Sequence, residues 1–316
     1  MTILLRGEAT PAQIGALLMG LRSRGETEDE IAGLVESMRS AGVRIAPSRE
    51  PLVDLCGTGG DGLGTFNIST AASFVAAGAG CAVAKHGNRS ASSRCGSADV
   101  LEALRVPVDL APDRAQRAIE ELGFAFLFAP LYHPAMKHVA PVRKELRIRT
   151  VFNLLGPLSN PAGATHQLVG VYDDSVRPVL ARVLGLLGTR KSWVVHGNGS
   201  VDELSIAGPT RVTVAGSSAV HDGSAGELTV RPDDCGIAST PLEALRGGDA
   251  VENAAIIERI LQGQKGPHRD AVVLNAGAAV HIAGIAATLR EGVDRAREAI
   301  DSGAALRVLE AARRFR

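Results

Sequence analysis

The chain has 316 residues, enough to bury one large core or two smaller ones, and its 34 basic and 34 acidic side chains cancel. This balance excludes a protein that binds nucleic acid or other polyanions through overall charge, and aromatic residues at 3% leave few rings to stack on bases. Any affinity for phosphate must therefore come from local structure.

The cysteines and the most apolar stretch indicate the cellular compartment of the protein and whether it associates with a membrane. The four cysteines show no CxxC spacing and follow no secretory leader, so we expect reduced thiols in a cytoplasmic protein. The uncharged stretch 271–289 is long enough to suggest a membrane span, but alanine supplies much of its apolar character and it contains Gly, Asn and His281. We expect a buried helix pair there and no association with a membrane.

The first 45 residues carry helical spacing and no strand pattern. Thr10 and Pro11 form a helix start, with proline at the first helical position, and Thr27 and Glu30 form a capping box for a second helix. Two amphipathic helices are predicted.

From residue 51 onward, strands and helices alternate along the chain. The predicted strands are Leu52–Leu55, Cys81–Lys85, Phe124–Phe128, Gln167–Val171 and Ser192–His196, with shorter segments at Arg211–Val214 and Glu227–Val230. Such alternation predicts an α/β fold with a mostly parallel central sheet flanked by helices.

The stretch between the third and fourth strands interrupts this alternation. His133–Arg149 is basic and is predicted to be helical, and the following VFNLLGPLSNPAG is predicted to be a structured loop because Gly and Pro punctuate it. Helical material then flanks the sheet in two places, which predicts a small all-helical domain that is discontinuous in sequence. The predicted boundaries are 1–47 for the first helical part, 48–130 for the first α/β part, 131–160 for the second helical part and hinge, and 161–316 for the second α/β part.

A glycine-rich loop, Asp54–Thr70, joins the first strand to an alanine-rich helix. Glycine lets backbone N–H groups approach a ligand closely, and a helix start attracts anions. Asn67, Ser69 and Thr70 are predicted to cap that helix. The loop matches neither the Walker pattern nor a dinucleotide fingerprint, and an ordinary turn is the alternative for one such loop.

A second loop of similar design, Lys85–Ala98, follows the next strand. A lysine at the strand end and a run of Gly and Ser suit a phosphate or pyrophosphate, and Ser97 is predicted to cap the helix Ala98–Leu104. Both loops leave consecutive strands, and ligands of open α/β sheets bind at the carboxyl ends of strands. The two loops together predict a phosphate site at that edge.

Two further groups are candidates for the same site. The adjacent carboxylates of Asp202 and Glu203 could hold Mg²⁺ together with phosphate oxygens and the hydroxyl of Ser69, although such a pair is more often a solvated surface feature. An arginine of the basic segment could clamp a carboxylate bidentately. The residues alone do not distinguish Arg143 from Arg147 or Arg149.

Four segments, in this order and spacing, resemble the anthranilate phosphoribosyltransferases of tryptophan biosynthesis: GTGGDGLGTFNIST, KHGNRSASSRCGSADVLEAL, HPAMKHVAPVRKELRIRTVFNLLGPLSNPAG and HGNGSVDELS. The resemblance covers the chain from about Thr10 to its end. It implies the fold group of the pyrimidine nucleoside phosphorylases, a homodimer formed through the helical domain, and Mg²⁺ as cofactor. The implied reaction transfers the phosphoribosyl group of phosphoribosyl pyrophosphate to the amine of anthranilate, with small molecules and no nucleic acid as partners.

The resemblance also implies a role for each matching position. The positions implied for phosphoribosyl pyrophosphate are Gly57, Gly60, Asp61, Thr65, Asn67, Ile68, Ser69, Thr70, Lys85, His86, Gly87, Asn88, Arg89, Ser90, Ala91, Ser92, Ser93 and Ser97. Those implied for anthranilate are Gly57, Asn88, His133 and Arg143, with Ala129 nearby, and those implied for Mg²⁺ are Ser69, Asp202 and Glu203. No obligatory acid or base is expected, and Lys85, Asp202 and Glu203 are given electrostatic roles.

The sequence departs from the family pattern in few places. Arg105 and Arg147 stand where the family usually has glycine, and the front of the chain is expected to be shorter by about one helix. Two other functions remain open from the sequence: a nucleoside phosphorylase of the same fold group, and a nucleic-acid-binding relative without catalysis.

Overall fold

A seven-stranded sheet forms the centre of the computed structural model, counted over the residues that it describes, 1–90 and 94–315. The strands are β1 (Leu52–Gly57), β2 (Ala82–Gly87), β3 (Phe124–Phe128), β4 (His166–Gly170), β5 (Lys191–His196), β6 (Thr210–Ala215) and β7 (Gly226–Val230). Their order across the sheet is β3-β2-β1-β4-β5-β6-β7, with β1 to β5 parallel and β6 and β7 antiparallel. The prediction of a mostly parallel sheet is confirmed.

Helices cover the sheet and form most of the front of the chain. They are α1 (Thr2–Leu5), α2 (Pro11–Arg24), α3 (Glu28–Ala41), α4 (Ile68–Gly78), α5 (Ser97–Ala103), α6 (Pro112–Leu122), α7 (Ala129–Tyr132), α8 (Ala140–Leu146), α9 (Phe152–Leu158), α10 (Val176–Leu186), α11 (Ser217–His221), α12 (Ala250–Leu261), α13 (Pro267–Ile282), α14 (Leu289–Asp301) and α15 (Ala304–Arg314). Short 3₁₀ segments lie at Pro134–His138, Pro232–Cys235 and Leu242–Leu245.

The central strand β1 determines where a ligand can bind. The chain proceeds from β1 through β2 to β3 on one side, then returns to β4 on the other side of β1. The connections after β1 and β4 therefore separate in opposite directions at the carboxyl edge and leave a crevice there. Both glycine-rich loops start at this edge, because β1 and β2 are adjacent and parallel.

The front helices begin as predicted and pack against later segments. Thr10 accepts a hydrogen bond from the amide of Gln13, and Thr27 forms the predicted capping box with Glu30. Buried side chains of α1, α2 and α3 share an apolar core with side chains of α8, α9 and α10. Arg39 of α3 also donates to the carbonyl of Leu158 at 2.7 Å. These contacts join the two predicted helical parts, and the division of the chain into domains stays a prediction.

The prediction of one helix over the basic segment is wrong. A 3₁₀ segment, Pro134–His138, is followed by the separate helix α8. Pro141 lies in the first turn of α8, where its missing N–H costs nothing. A continuous helix would have left the carbonyl of Lys137 without a donor and against the proline ring.

The prediction of a loop over VFNLLGPLSNPAG is also wrong for its first half. Phe152–Leu158 forms the helix α9, with Pro157 inside it. Leu155 and Leu158 are fully buried against the front helices. Tertiary burial of this apolar face outweighs the unfavourable local propensity of Gly and Pro.

The apolar stretch 271–289 lies inside the protein. Most of α13 is buried, and α13 packs closely against α14 and α4. Among the described residues, no helix is both long and apolar enough to cross a membrane.

Two arginines occupy backbone positions that favour glycine. Arg105 follows α5 with φ 62° and Arg147 ends α8 with φ 52°, and these are the two positions at which the resemblance leads us to expect glycine. Left-handed backbone costs a side-chain-bearing residue about 1 kcal/mol or more. Arg105→Gly and Arg147→Gly are each expected to raise the free energy of unfolding by about 0.5–1 kcal/mol, measured by urea denaturation.

The matched control for this prediction is Gly303, which has φ 73° and where an added Cβ would lie 3.4 Å from the Nη1 of Arg307, an ordinary contact distance. Gly303→Ala should lower stability by about 1 kcal/mol. Equal or lower stability of both arginine variants would show that the left-handed backbone is not strained there.

Candidate active site

The loop that carries the acidic pair lies over the carboxyl ends of β1 and β4. Gly57 and Gly170 are paired across these two strands. A Cβ at Gly57 would collide with the Oδ2 of Asp202, and a Cβ at Gly170 would overlap the carbonyl oxygen of Asp202. Glycine is required at both positions because only a bare backbone lets the acidic loop approach the strand ends.

The acidic pair is bonded to the first glycine-rich loop and to the helix after it. The Oδ2 of Asp202 accepts a hydrogen bond from the amide of Gly59 at 2.8 Å. The Oε1 of Glu203 accepts from the amide of Ser69, in the first turn of α4, at 3.1 Å. The structure thus brings Asp202, Glu203 and Ser69 together, as the resemblance implied.

The helix start of α4 corrects a prediction about capping. Asn67 occupies the N-cap position, but its side chain makes no cap hydrogen bond. It donates to the carbonyl of Cys95 at 3.3 Å and accepts from Asn253 at 2.9 Å. Thr70 does not cap either: its hydroxyl is buried without a partner in the described part of the chain. The cap comes instead from Glu203, which no local pattern could have indicated.

Lys85 points into the protein from the end of β2. Its Nζ donates to the carbonyl of Leu55 at 2.7 Å and to the Oγ of Ser69 at 3.1 Å. Burial lowers the pKa of Lys85, while the charges of Asp54 and Glu203 act in the opposite direction. The ammonium group therefore links the first strand to the start of α4, and its charge acts on Glu203.

Asp54 is a buried residue of the site that sequence reasoning missed. It accepts from the amide of His86 at 3.2 Å and from the side chain of Asn160 at 2.8 Å. Asn160 also donates to the carbonyl of Ala84 at 2.8 Å. Burial raises the pKa of Asp54 to about 6 even though Lys85 lowers it. A carboxylate inside an otherwise apolar strand was the signal available in the sequence.

The electrostatics of the acidic pair fit a cation. Burial, followed by the charge of Asp61, raises the pKa of Asp202 to about 6. Burial and the charge of Asp202 raise the pKa of Glu203 to about 8. The Oδ2 of Asp61 is buried without a hydrogen-bond partner among the residues described. A hard divalent cation bound to these crowded carboxylate oxygens would offset the repulsion between their negative charges.

The protein alone does not complete a metal site. Within 1–90 and 94–315, no three side chains of His, Cys, Asp or Glu are arranged to hold an ion. Mg²⁺ usually keeps several waters and binds through one or two carboxylates and substrate phosphates. Asp202, Glu203 and the hydroxyl of Ser69 fit that pattern.

The second loop is only partly described, since Ala91, Ser92 and Ser93 lie outside the described residues. Arg89 forms salt bridges with Glu102 at 2.6 Å and with Asp99 at 3.0 Å, so its positive charge is balanced by two carboxylates of α5. The prediction that Ser97 caps this helix is wrong. Gly96 is the N-cap, and its amide donates to Asp99 at 2.8 Å, while Ser97 is the first helical residue.

The remaining positions implied for the donor lie along the same edge. Gly60, Asp61 and Thr65 are in the first loop. The side chain of Asp61 accepts a hydrogen bond from the amide of Leu63 at 3.2 Å, and the backbone of Thr65 forms an isolated antiparallel β-bridge with that of Arg246. Ile68 is buried in the core, and its amide bonds to the carbonyl of Phe66. Ser90 donates its amide to Asp99 at 3.1 Å.

A cavity of about 510 Å³ opens beside these loops. It brings together all four positions implied for anthranilate, which are Gly57, Asn88, His133 and Arg143. Its apolar wall comes from α3, from the segment after β3 and from α9, and it includes Met38, Ala129, Pro130, Met136, Phe152 and Pro157. The floor includes His86 and Gly87 at the end of β2. A flat aromatic acid suits such a lining.

Two histidines line this cavity in neutral form. The Nδ1 of His86 bonds to the carbonyl of Gly156 at 3.2 Å, and the Nε2 of His133 bonds to the carbonyl of Ser159 at 3.1 Å. A carbonyl only accepts, so these nitrogens carry the protons. Burial lowers the pKa of His86 to about 3 and also lowers the pKa of His133. The Nε2 of His86 is buried without a partner in the described structure.

The structure separates the three arginines that the residues alone left equivalent. Arg143 lines the cavity, with its guanidinium 5.1 Å from the ring centroid of Phe152. Arg147 is exposed. Arg149 lies 3.6 Å from the ring centroid of Tyr172 and donates to the carbonyl of Gly60. Of these three, Arg143 faces the space in which an aromatic acid would fit.

Two family models match the chain. One is described as a glycosyl transferase family, a/b domain, and matches residues 49–306. The other is described as a glycosyl transferase family, helical bundle domain, and matches residues 1–42. The fold and the two matches define the protein as a member of this glycosyltransferase family.

Individual relatives narrow the class. Anthranilate phosphoribosyltransferase of Symbiobacterium thermophilum is 55% identical over 100% of this chain and 91% of its own length. That of Moorella thermoacetica is 53% identical over 98% and 90%. The chain belongs to the anthranilate phosphoribosyltransferase family, which confirms the resemblance seen in the sequence.

Solved structures of this family have the same fold. The crystal structure of the enzyme from Thermus thermophilus matches with a TM-score of 0.93 at 50% identity, covering 99% of this chain and 92% of that one. The enzyme from Saccharomyces cerevisiae in complex with phosphoribosyl pyrophosphate and Mg matches with a TM-score of 0.86 at 29% identity, covering 95% and 84%.

Proposed function

We propose that this chain transfers the 5-phosphoribosyl group of phosphoribosyl pyrophosphate to the amine of anthranilate, releasing pyrophosphate, as a step of tryptophan biosynthesis. The observation that carries the proposal is the cavity at the carboxyl edge of the sheet. It places Arg143 and an apolar wall on one side and the ends of β1 and β2 on the other. An acceptor with a ring and a carboxylate then lies next to the loops that would bind a phosphorylated donor.

Arg143 would hold the acceptor. A guanidinium binds a carboxylate bidentately, which fixes both the position and the plane of the ring. Burial lowers the pKa of Arg143, so its charge is partly stripped of water and gains from a carboxylate partner. The apolar wall around Phe152 and Pro157 would cover the ring. Arg143 thus orients the amine toward the ribose carbon that it attacks, which is a contribution of positioning.

The loops would stabilise the leaving group. As the bond between ribose C1 and the pyrophosphate oxygen breaks, negative charge grows on the pyrophosphate. Backbone N–H groups of the first loop and the ammonium of Lys85 are held in place before the reaction, so they stabilise this charge without reorganisation. Asp202, Glu203 and Ser69 would hold Mg²⁺, which supplies further neutralisation of that charge when bound.

The chemistry needs no strong base. An aryl amine is neutral at pH 7 and attacks with its own lone pair, losing a proton once the new bond has formed. His86 is neutral because burial lowers its pKa to about 3, and its free Nε2 can accept a hydrogen bond from the amine. We assign His86 a role in orienting the amine, and we expect solvent to accept the proton that the amine loses.

The proposal includes a homodimer and a cytoplasmic location. Ile3, Leu17 and Met19 on α1 and α2 expose 59%, 39% and 41% of their surface. Large apolar side chains exposed on the helical part of the chain favour association with a second copy. All four cysteines are buried and carry free thiols, which suits a reducing compartment.

One assay tests the reaction. Purified protein with Mg²⁺ and phosphoribosyl pyrophosphate is expected to consume anthranilate, which is followed by loss of its fluorescence and by release of pyrophosphate. No loss of fluorescence with both substrates at millimolar concentration would refute the proposal. Phosphate-dependent release of free base from a nucleoside would support the phosphorylase alternative instead.

A further inference from the structure

Arg149 connects the acceptor side of the site to the first glycine-rich loop. It lies between α8, which carries Arg143, and α9, which carries Phe152. Its guanidinium stacks at 3.6 Å from the ring centroid of Tyr172, and its Nη2 donates to the carbonyl of Gly60. A side chain from the segment that forms the cavity wall therefore reaches the loop of β1.

Tyr172 follows β4 and is hydrogen-bonded to the first residues of that loop. The amide of Tyr172 donates to the Oγ1 of Thr58 at 3.3 Å, and the amide of Thr58 donates to the carbonyl of Gly170 at 2.9 Å. Beyond Thr58, four glycines of the loop have positive φ, at positions 59, 60, 62 and 64. Such a run has large conformational freedom unless something outside the loop holds it. Arg149, stacked on an anchored ring, supplies that contact at Gly60.

The contact has a direct effect on one peptide group. In a trans peptide the carbonyl of one residue and the N–H of the next point in opposite directions. Because the carbonyl of Gly60 faces Arg149, the N–H of Asp61 faces away from Arg149. Among the described residues, that N–H has no hydrogen-bond acceptor.

We propose that Arg149 is a positioning residue for the donor substrate. It holds the Gly60–Asp61 peptide so that its N–H is available to a diphosphate oxygen. The inference rests on the proposed function for the identity of the donor, phosphoribosyl pyrophosphate. The loop is thereby ordered by the same chain segment that presents Arg143 to the acceptor.

The test compares Arg149→Ala with wild type in donor binding and in turnover. Loss of the stacked contact and its hydrogen bond is expected to raise both the Kd and the KM for phosphoribosyl pyrophosphate about tenfold. The KM for anthranilate should stay within about twofold, because Arg143 and the cavity lining are unchanged. Calorimetric titration of phosphoribosyl pyrophosphate in Mg²⁺ needs no turnover and measures the donor Kd separately.

Three further variants separate positioning from a purely structural role. Tyr172→Phe keeps the ring and should bind the donor as wild type does, whereas Tyr172→Leu should reproduce the Arg149→Ala defect. The double variant Arg149→Ala/Tyr172→Leu should be no worse than either single variant, since both remove one contact. Arg147→Ala, a change of an exposed arginine two residues away, should leave the donor Kd unchanged.

Several results would overturn the inference. A donor Kd of Arg149→Ala equal to that of wild type would do so, as would a lowered Tm with unchanged KM values. An equal defect in Arg147→Ala would assign the effect to overall charge. A wild-type chain that binds the donor but consumes no anthranilate would refute the proposed function alone, and the comparison of donor Kd values would still decide the role of Arg149.

Discussion

Arg143→Ala is expected to lower kcat/KM for anthranilate by roughly a hundredfold to a thousandfold, with donor binding unchanged. Arg143 lines the cavity next to Phe152 and is the arginine of this segment that faces it. Without the guanidinium, the carboxylate of the acceptor would enter a partly apolar space unpaired, and the amine would lose its orientation. Initial rates at varied anthranilate, with a titration of the donor, measure both quantities.

The control for Arg143 is Lys144, the next residue of α8, which is exposed. Lys144→Ala removes a positive charge from the same helix and should leave kcat/KM within about twofold. Arg143→Lys should recover only part of the lost activity, because an ammonium cannot bind both carboxylate oxygens in one plane. A donor Kd that rises as much as the anthranilate KM would contradict the assignment of Arg143 to the acceptor.

Glu203→Gln is expected to reduce the Mg²⁺-dependent rate at least about a hundredfold while stabilising the metal-free protein above neutral pH. Burial, followed by the charge of Asp202, raises the pKa of Glu203 from 4.5 to about 8. Between these values the folded state keeps a proton that the unfolded state releases. The stability of the metal-free protein therefore falls as pH rises from about 4.5 to 8.

The difference between wild type and Glu203→Gln isolates this effect, because other groups also titrate in this pH range. Burial raises the pKa values of Asp54 and Asp202 to about 6, which makes stability fall mainly below pH 6.5. Burial lowers the pKa values of several histidines from 6.5, which makes stability rise with pH until about one unit above 6.5; they are His86, His133, His166, His268 and His281. Urea denaturation with a chelator, at pH 6.5 and 8, should therefore show a more negative change in stability for wild type than for Glu203→Gln.

A surface carboxylate supplies the control. Glu298→Gln, on the exposed face of α14, should change neither the rate nor the pH dependence. Parallel stability curves for wild type and Glu203→Gln would show that Glu203 ionises normally in the folded state. An unchanged Mg²⁺-dependent rate in Glu203→Gln would remove this residue from the proposed metal site.

Local patterns were sufficient for the parts of the fold that depend on neighbours in sequence. Strand alternation placed β1 to β5, and the glycine-rich loops after β1 and β2 leave the same edge of the sheet, as predicted. The capping box at Thr27 needed only the identity of Glu30 three residues later. These features follow from periodicity and turn chemistry, which a single sequence displays directly.

The remainder depended on residues far apart in sequence. The cap of α4 comes from Glu203, and the partner of Asp54 is Asn160, so neither contact has a local signal. Helix α9 forms despite Gly156 and Pro157 because tertiary burial decides its conformation. The sequence could show that Arg149 was basic, but only the fold brings it to Gly60 and Tyr172.

Most of the apolar cavity wall comes from a different stretch of backbone than the donor loops, although the cavity is also lined on the donor side by Gly57, His86, Gly87 and Asn88. Ala129, Met136 and Ala140 lie on the insertion between β3 and β4, whereas the glycine-rich loops extend directly from the strands. Acceptor choice can then change in evolution through the insertion side chains that face the cavity, provided that Arg149 keeps its contact with the donor loop. A descendant could exchange one aryl amine for another in this way and keep the loops that bind the sugar phosphate.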